Sequence, residues 1–209
     1  MLVVCATAVA CTSSGSARST TKTTTVADTD RGGGALVDAF RRSMTTTWKV
    51  DEQFDRTTPS GGHIQAVQRR AQRPPDHLTV AGGTVDARAG DRVLACATGS
   101  AGALSCRDAG AARPYTDEVA AAVATLQGQV TGNNRLYDVT DQGGGCFALH
   151  LRVPGYVAPP FGTDARLCYD AATGAPIRTE ISRPEGRDVT VATSVSGVVA
   201  DADLAPPPG

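Results

Sequence analysis

Six cysteines and three histidines hold most of the chemistry open to this chain, and their spacing decides which chemistry that is. Cys96, Cys106, Cys146 and Cys168 form no C-x-x-C pair, and His63, His77 and His150 are scattered, so no zinc ligand set is expected. An even number of thiols points instead to disulfides in an oxidising compartment. Of the three possible connectivities, the local one is preferred: Cys96 with Cys106 and Cys146 with Cys168, each pair bracketing a hairpin. In the second hairpin Phe147, Leu149, Leu151 and Val153 alternate with Cys146, Ala148, His150 and Arg152. Setting Cys146 opposite Cys168 places Phe147 against Leu167 and turns every large apolar side chain to one face.

The same register sets His150 across from Asp164, the single acid and imidazole pair that can be positioned, and a cross-strand surface contact accounts for it. Asp138 and Asp141 supply too few oxygens for calcium and are expected in a solvated loop. The sequence contains no G-x-S-x-G elbow, P-loop, H-E-x-x-H or dinucleotide fingerprint. The expectation is a protein without catalysis, cofactor or metal.

Placing these residues depends on the elements around them. Leu2 to Ala10 is apolar apart from Thr7, too short to span a bilayer, and ends in small residues before Cys11. It resembles the lipobox of bacterial lipoprotein signals, which implies acylation of Cys11, loss of residues 1–11 as a leader apart from that cysteine, and a lipid anchor in the membrane. Ala8 stands where Leu is commonest in that motif, and no basic residue precedes the apolar run; a start placed too late would remove one. An ordinary cleaved signal or a buried N-terminal strand is the alternative. Residues 12–34 are rich in Ser, Thr and Gly, including Gly32, Gly33 and Gly34, and are expected to be a flexible tether.

The formal charge of -1 is spread along the chain, which excludes the basic face that nucleic acid needs. Lys22 and Lys49 are the only lysines among 20 basic residues, the usage expected of a GC-rich, actinobacterial source.

Residues 35–204 read as one domain. Leu36, Phe40 and Met44 recur at helical spacing, followed by alternating stretches from Trp48 to Thr98 that are separated by turns such as Pro74-Pro75 and Gly82-Gly83. Thr116-Asp117-Glu118 reads as the start of a second helix with Val119, Val123, Leu126 and Val130 on one stripe. Strands then resume, ending in a run where Val189, Val191, Val195 and Val199 are expected to point together. Asp201 to Gly209, which ends in Pro206-Pro207-Pro208, is expected to be a loose tail, with residues 205–209 beyond the domain. This order gives an α+β fold dominated by antiparallel strands.

Cys168-Tyr169-Asp170-Ala171-Ala172-Thr173-Gly174-Ala175-Pro176-Ile177 reads as a strand, a D-x-x-T-G-x-P turn and a returning strand. It resembles the corresponding turn of cell-envelope carriers of the LolA, LppX and LprG type. The resemblance implies a strongly curved, open antiparallel half-barrel with the N-terminal and mid-chain helices on its concave face. It also implies extracytoplasmic location on the outer face of the membrane, and a hollow for lipid or lipoprotein acyl chains. Residues then expected on the lining are Trp48, Val50 and Phe54 on the first strand, Val123 and Leu126 on the second helix, Phe147, Leu149 and Leu151, and Ile177 and Ile181. The competing expectation is that these side chains fill a packed core, leaving a surface interaction or sensory lipoprotein that binds another envelope protein.

Overall fold

The structure, a computed structural model, describes residues 26–98 and 104–206. The leader with Cys11, residues 12–25 of the expected tether, the turn at 99–102 and the last three residues lie outside the described residues.

Helix α1 (Val26–Thr45) is followed by six strands: β1 (Trp48–Thr57), β2 (His63–Arg73), β3 (Asp76–Ala81), β4 (Thr84–Ala89), β5 (Arg92–Thr98) and β6 (Leu104–Ala111). Helix α2 (Tyr115–Val130) then leads into β7 (Tyr137–Gly143), β8 (Cys146–Leu151), β9 (Asp164–Tyr169), β10 (Pro176–Arg183) and β11 (Gly186–Ser196), and the short helix α3 (Asp201–Leu204) follows. The strands form one open sheet in the order β6-β5-β4-β3-β2-β1-β11-β10-β9-β8-β7. Each half is a meander, and the halves meet where β1 pairs antiparallel with β11.

Helices α1 and α2 lie on one side of this sheet. Leu36 and Val37 of α1 and Val123, Leu126 and Val130 of α2 pack against Tyr137, Val139, Phe147, Leu149, Leu167 and Tyr169 of β7–β9. From the other half, the buried Arg88 of β4 reaches Glu118 of α2 at 2.7 Å. Both halves of the sheet therefore contact the same helix, which requires it to curl around the helical layer. The architecture is a curved, open antiparallel half-barrel, the fold class expected from the sequence.

Four expectations on boundaries and faces are corrected. Helix α1 starts at Val26, so residues 26–34 belong to the helix and not to a tether. Gly32 and Gly33 explain why: a Cβ on Gly32 would stand 2.4 Å from the Val139 carbonyl oxygen, and one on Gly33 2.2 Å from that of Val130. The glycines let the helix backbone touch β7 and the end of α2, a burial that offsets their poor helix propensity. Helix α2 starts two residues early, with Pro114 rather than Thr116 at its N-cap and no side-chain cap. The valine run of β11 does not keep one face. An irregularity opposite Asp51 and Glu52 pairs Val195 with Val50 but Val191 with Gln53, because one extra residue inverts a period of two. Asp201–Leu204 is a helical turn tied to β1 and β2 by Lys49 to Asp203 and Arg73 to Asp201.

The cysteines pair as the local reading expects. Cys96 is bonded to Cys106 and Cys146 to Cys168, each directly across a strand pair, and Phe147 stands opposite Leu167.

Candidate functional site

The end of α1 decides where the helical layer stops and a hollow begins. Its last carbonyls have no helical donors, and side chains from three other elements supply them. The indole N–H of Trp48 and the amide of Gln72 each donate to the Ser43 carbonyl at 2.7 Å, and Gln72 also donates to Thr46. The Tyr115 hydroxyl donates to the Met44 carbonyl. β1, β2 and the start of α2 are thereby held at fixed distance from the helix.

The D-x-x-T-G-x-P turn is held from below. The Asp170 carboxylate accepts from the Ala172 and Thr173 backbone N–H groups and the Thr173 hydroxyl, and Gly174 takes φ 76° to close the loop. These bonds, led by that from the Thr173 N–H, hold the Asp170 carboxyl below the usual carboxylate range. Arg42 of α1 donates to the Ala171 and Ala172 carbonyls, and Thr46 to that of Thr173.

Between these braces lies a cavity of about 390 Å³ bordered by Phe40, Met44, Trp48, Leu78, Leu126, Phe161, Leu167 and Pro176, among other residues. It sits where the two walls of the half-barrel face one another, with β1–β3 on one side and β9 and β10 on the other. Its polar lining includes Ser43, Arg70, Gln72, His77, Tyr115, Glu118 and Tyr169. Arg70 lies with its Nε donating to Glu52 at 2.7 Å and its Nη2 to the second carboxylate oxygen, while its guanidinium stands 5.8 Å from the Trp48 ring. The Glu52 side chain is only 2% exposed. Burial pushes the Tyr169 hydroxyl up to about 12, against a downward pull from Arg70, so it remains a proton donor at neutral pH.

Of the ten residues expected on the lining, Trp48 and Leu126 border the cavity. Val123, Phe147 and Leu149 sit in the packed core, with Leu151 and Ile181 against its edge. Val50 is buried beside Trp48 and Ala175. Phe54 is half-buried under the Arg56 guanidinium, and Ile177 falls at the irregularity between Pro176 and Arg178. The concave face is therefore filled over β7 and β8 and hollow between β1–β3 and the end of β9 with β10. Arg70, Gln72, Tyr115 and Tyr169 escaped a reading confined to large apolar faces. The register did place Tyr169 on the face of Leu167, and that was the available signal.

His150 and Asp164 are opposed at 2.7 Å with their side chains 71% and 59% exposed, a surface contact remote from the cavity. Asp138 pairs with Arg135 and Arg152, and Asp141 accepts from the Gly143 N–H. Among the described residues no group of three or more His, Cys, Asp or Glu side chains is placed to hold a metal ion. No described helix is long and apolar enough to cross a membrane.

No protein-family model and no curated protein matches the sequence. Among solved structures, the chain is similar to MucB in its complex with MucA(peri), with a TM-score of 0.45 and 14% identity over 86% of this chain. It spans 60% of that MucB chain, less than two thirds of its length. LprF from Mycobacterium bovis gives 0.40 and 10%, covering 86% of this chain and 98% of that one. A LolA superfamily protein from Nitrosomonas europaea gives 0.34 and 7%, covering 83% and 97%.

Proposed function

We propose that this chain is an exported, non-enzymatic envelope protein that takes an apolar ligand, a lipid or an acyl chain, between its helices and its sheet. The observation that carries this reading is the cavity of about 390 Å³ with its mainly apolar border. Its size is within the range of roughly 300–1,000 Å³ usual for small-molecule sites. The two disulfides fit an oxidising, extracytoplasmic setting. Acylation of Cys11 would tether the domain to the outer face of the membrane, and partners would be the membrane, the ligand's donor and an acceptor in the envelope.

Solvent extraction of natively purified full-length protein, followed by mass spectrometry, tests this. An acyl-containing lipid near one equivalent is expected, together with binding of the uncharged dye N-phenyl-1-naphthylamine. Thr179→Trp, which projects bulk into the cavity from β10, should abolish both while leaving the unfolding temperature unchanged or higher. A ligand-free preparation that also fails to bind the dye overturns the reading and leaves a packed interaction domain.

A further inference from the structure

The polar side chains of the cavity are unequal in one respect. Among the described residues on its lining, Ser43, Gln72 and Tyr169 are each more than nine-tenths buried, at 6%, 8% and 9% exposure. Ser43 donates to the Phe40 carbonyl and Gln72 to those of Ser43 and Thr46. The Tyr169 backbone N–H donates to the Gly145 carbonyl and its ring lies 6.5 Å from that of Phe147, but its hydroxyl makes no hydrogen bond to any described residue. No described side chain buries an unpartnered polar atom, so this hydroxyl is reached from the hollow, and its acceptor is whatever fills that space.

The charges around it state what that something is. Arg70, on the facing wall, spends two of its five N–H groups on Glu52, which neutralises it and leaves donors free. Glu118, at the rim, is matched by Arg88 at 2.7 Å. Each carboxylate on or behind this lining thus has its own guanidinium, and the other nitrogen base on the described lining is the imidazole of His77, so no permanent positive charge is left over. An anionic group entering would add a buried negative charge beside Glu52 without a counterion, which the low-dielectric interior penalises. An uncharged oxygen meets no such penalty and satisfies Tyr169.

Resting on the reading of the cavity as a ligand site, we infer that Tyr169 is its specificity-determining residue and that the ligand presents an uncharged carbonyl oxygen, as in an acyl ester or acyl amide, with the free fatty acid anion rejected. The Tyr169 hydroxyl donates to that carbonyl, the unspent N–H groups of Arg70 face the same space, and the alkyl portion lies along Phe40, Met44, Leu126 and Phe161.

The test compares four eight-carbon probes displacing N-phenyl-1-naphthylamine from the full chain at about pH 8, where a fatty acid is ionised. They are methyl octanoate, N-methyloctanamide, sodium octanoate and octane. The ester or the amide should bind about tenfold more tightly than octanoate, and about fivefold more tightly than octane, the worth of one neutral hydrogen bond. Whichever of the two is tighter distinguishes a glyceride-type from an N-acyl source. Tyr169→Phe, which removes only the oxygen, should bring the ester and amide to the level of octane while octane itself is unchanged. Octanoate binding as well as the ester, or a carbonyl preference that survives in Tyr169→Phe, overturns the inference alone. Failure of all four probes and of the dye overturns the cavity reading with it.

Discussion

Gly32 of α1 lies against Val139 of β7 so closely that an added Cβ would stand 2.4 Å from the Val139 carbonyl oxygen. Two residues along, Gly34 has open space at the same position. Neighbours in a triple-glycine run thus have opposite expectations. Gly32→Ala forces the helix off the sheet and should cost roughly 1–3 kcal/mol, the range for overpacking. Gly34→Ala should stabilise by about 0.5–1 kcal/mol through helix propensity. Urea unfolding of the two variants measures both, and equal effects would mean that α1 does not rest on β7.

Acid should loosen the turn beneath α1. The Asp170 carboxyl is held below its ordinary range, chiefly by the Thr173 backbone N–H and then by its hydroxyl. A depressed native value means the carboxylate adds stability that is fully present above the unfolded value, about 3.9, and is lost as pH falls through the native one. Asp170→Asn should therefore lower the urea midpoint at neutral pH, and its difference from the parent should shrink steadily below about pH 4. A gap that stays constant down to the acid limit contradicts the bonding described.

The Glu52 and Arg70 pair predicts a rescue of one substitution by a second. Arg70→Met leaves a carboxylate with a side chain 2% exposed and no partner, which should cost roughly 3–5 kcal/mol. Glu52→Leu combined with Arg70→Met removes the stranded charge and should recover most of that loss. Calorimetry of the single and double variants decides the matter; additive losses would show that the two side chains do not depend on one another.

What could be read in advance follows from where a period of two or of 3.6 stays unbroken. The hairpin from Cys146 to Tyr169 was legible in register as well as in extent, because cysteines and large apolar side chains occupy opposite faces and allow only one alignment. β11 was legible as a strand but not as a surface, since its irregularity near Thr193 leaves no mark in composition. Gly32 and Gly33 look like linker because the reason for them is a partner about a hundred residues away. The hollow was legible only at its edges. Trp48 and Leu126 were expected on its border, but aliphatic patterning cannot tell filled from empty, and the polar side chains that bound the space do not stand out in a strand pattern.

The order of the sheet has a mechanical corollary. Both sulfur bridges are local, one between β5 and β6 and the other between β8 and β9. Neither crosses the junction of β1 with β11, where the two meanders meet. Under tension applied across that junction, the hydrogen-bonded ladder and the helices that straddle it must carry the force alone. The molecule is therefore two covalently reinforced leaves with a non-covalent spine between them, and parting the leaves requires no change in redox state.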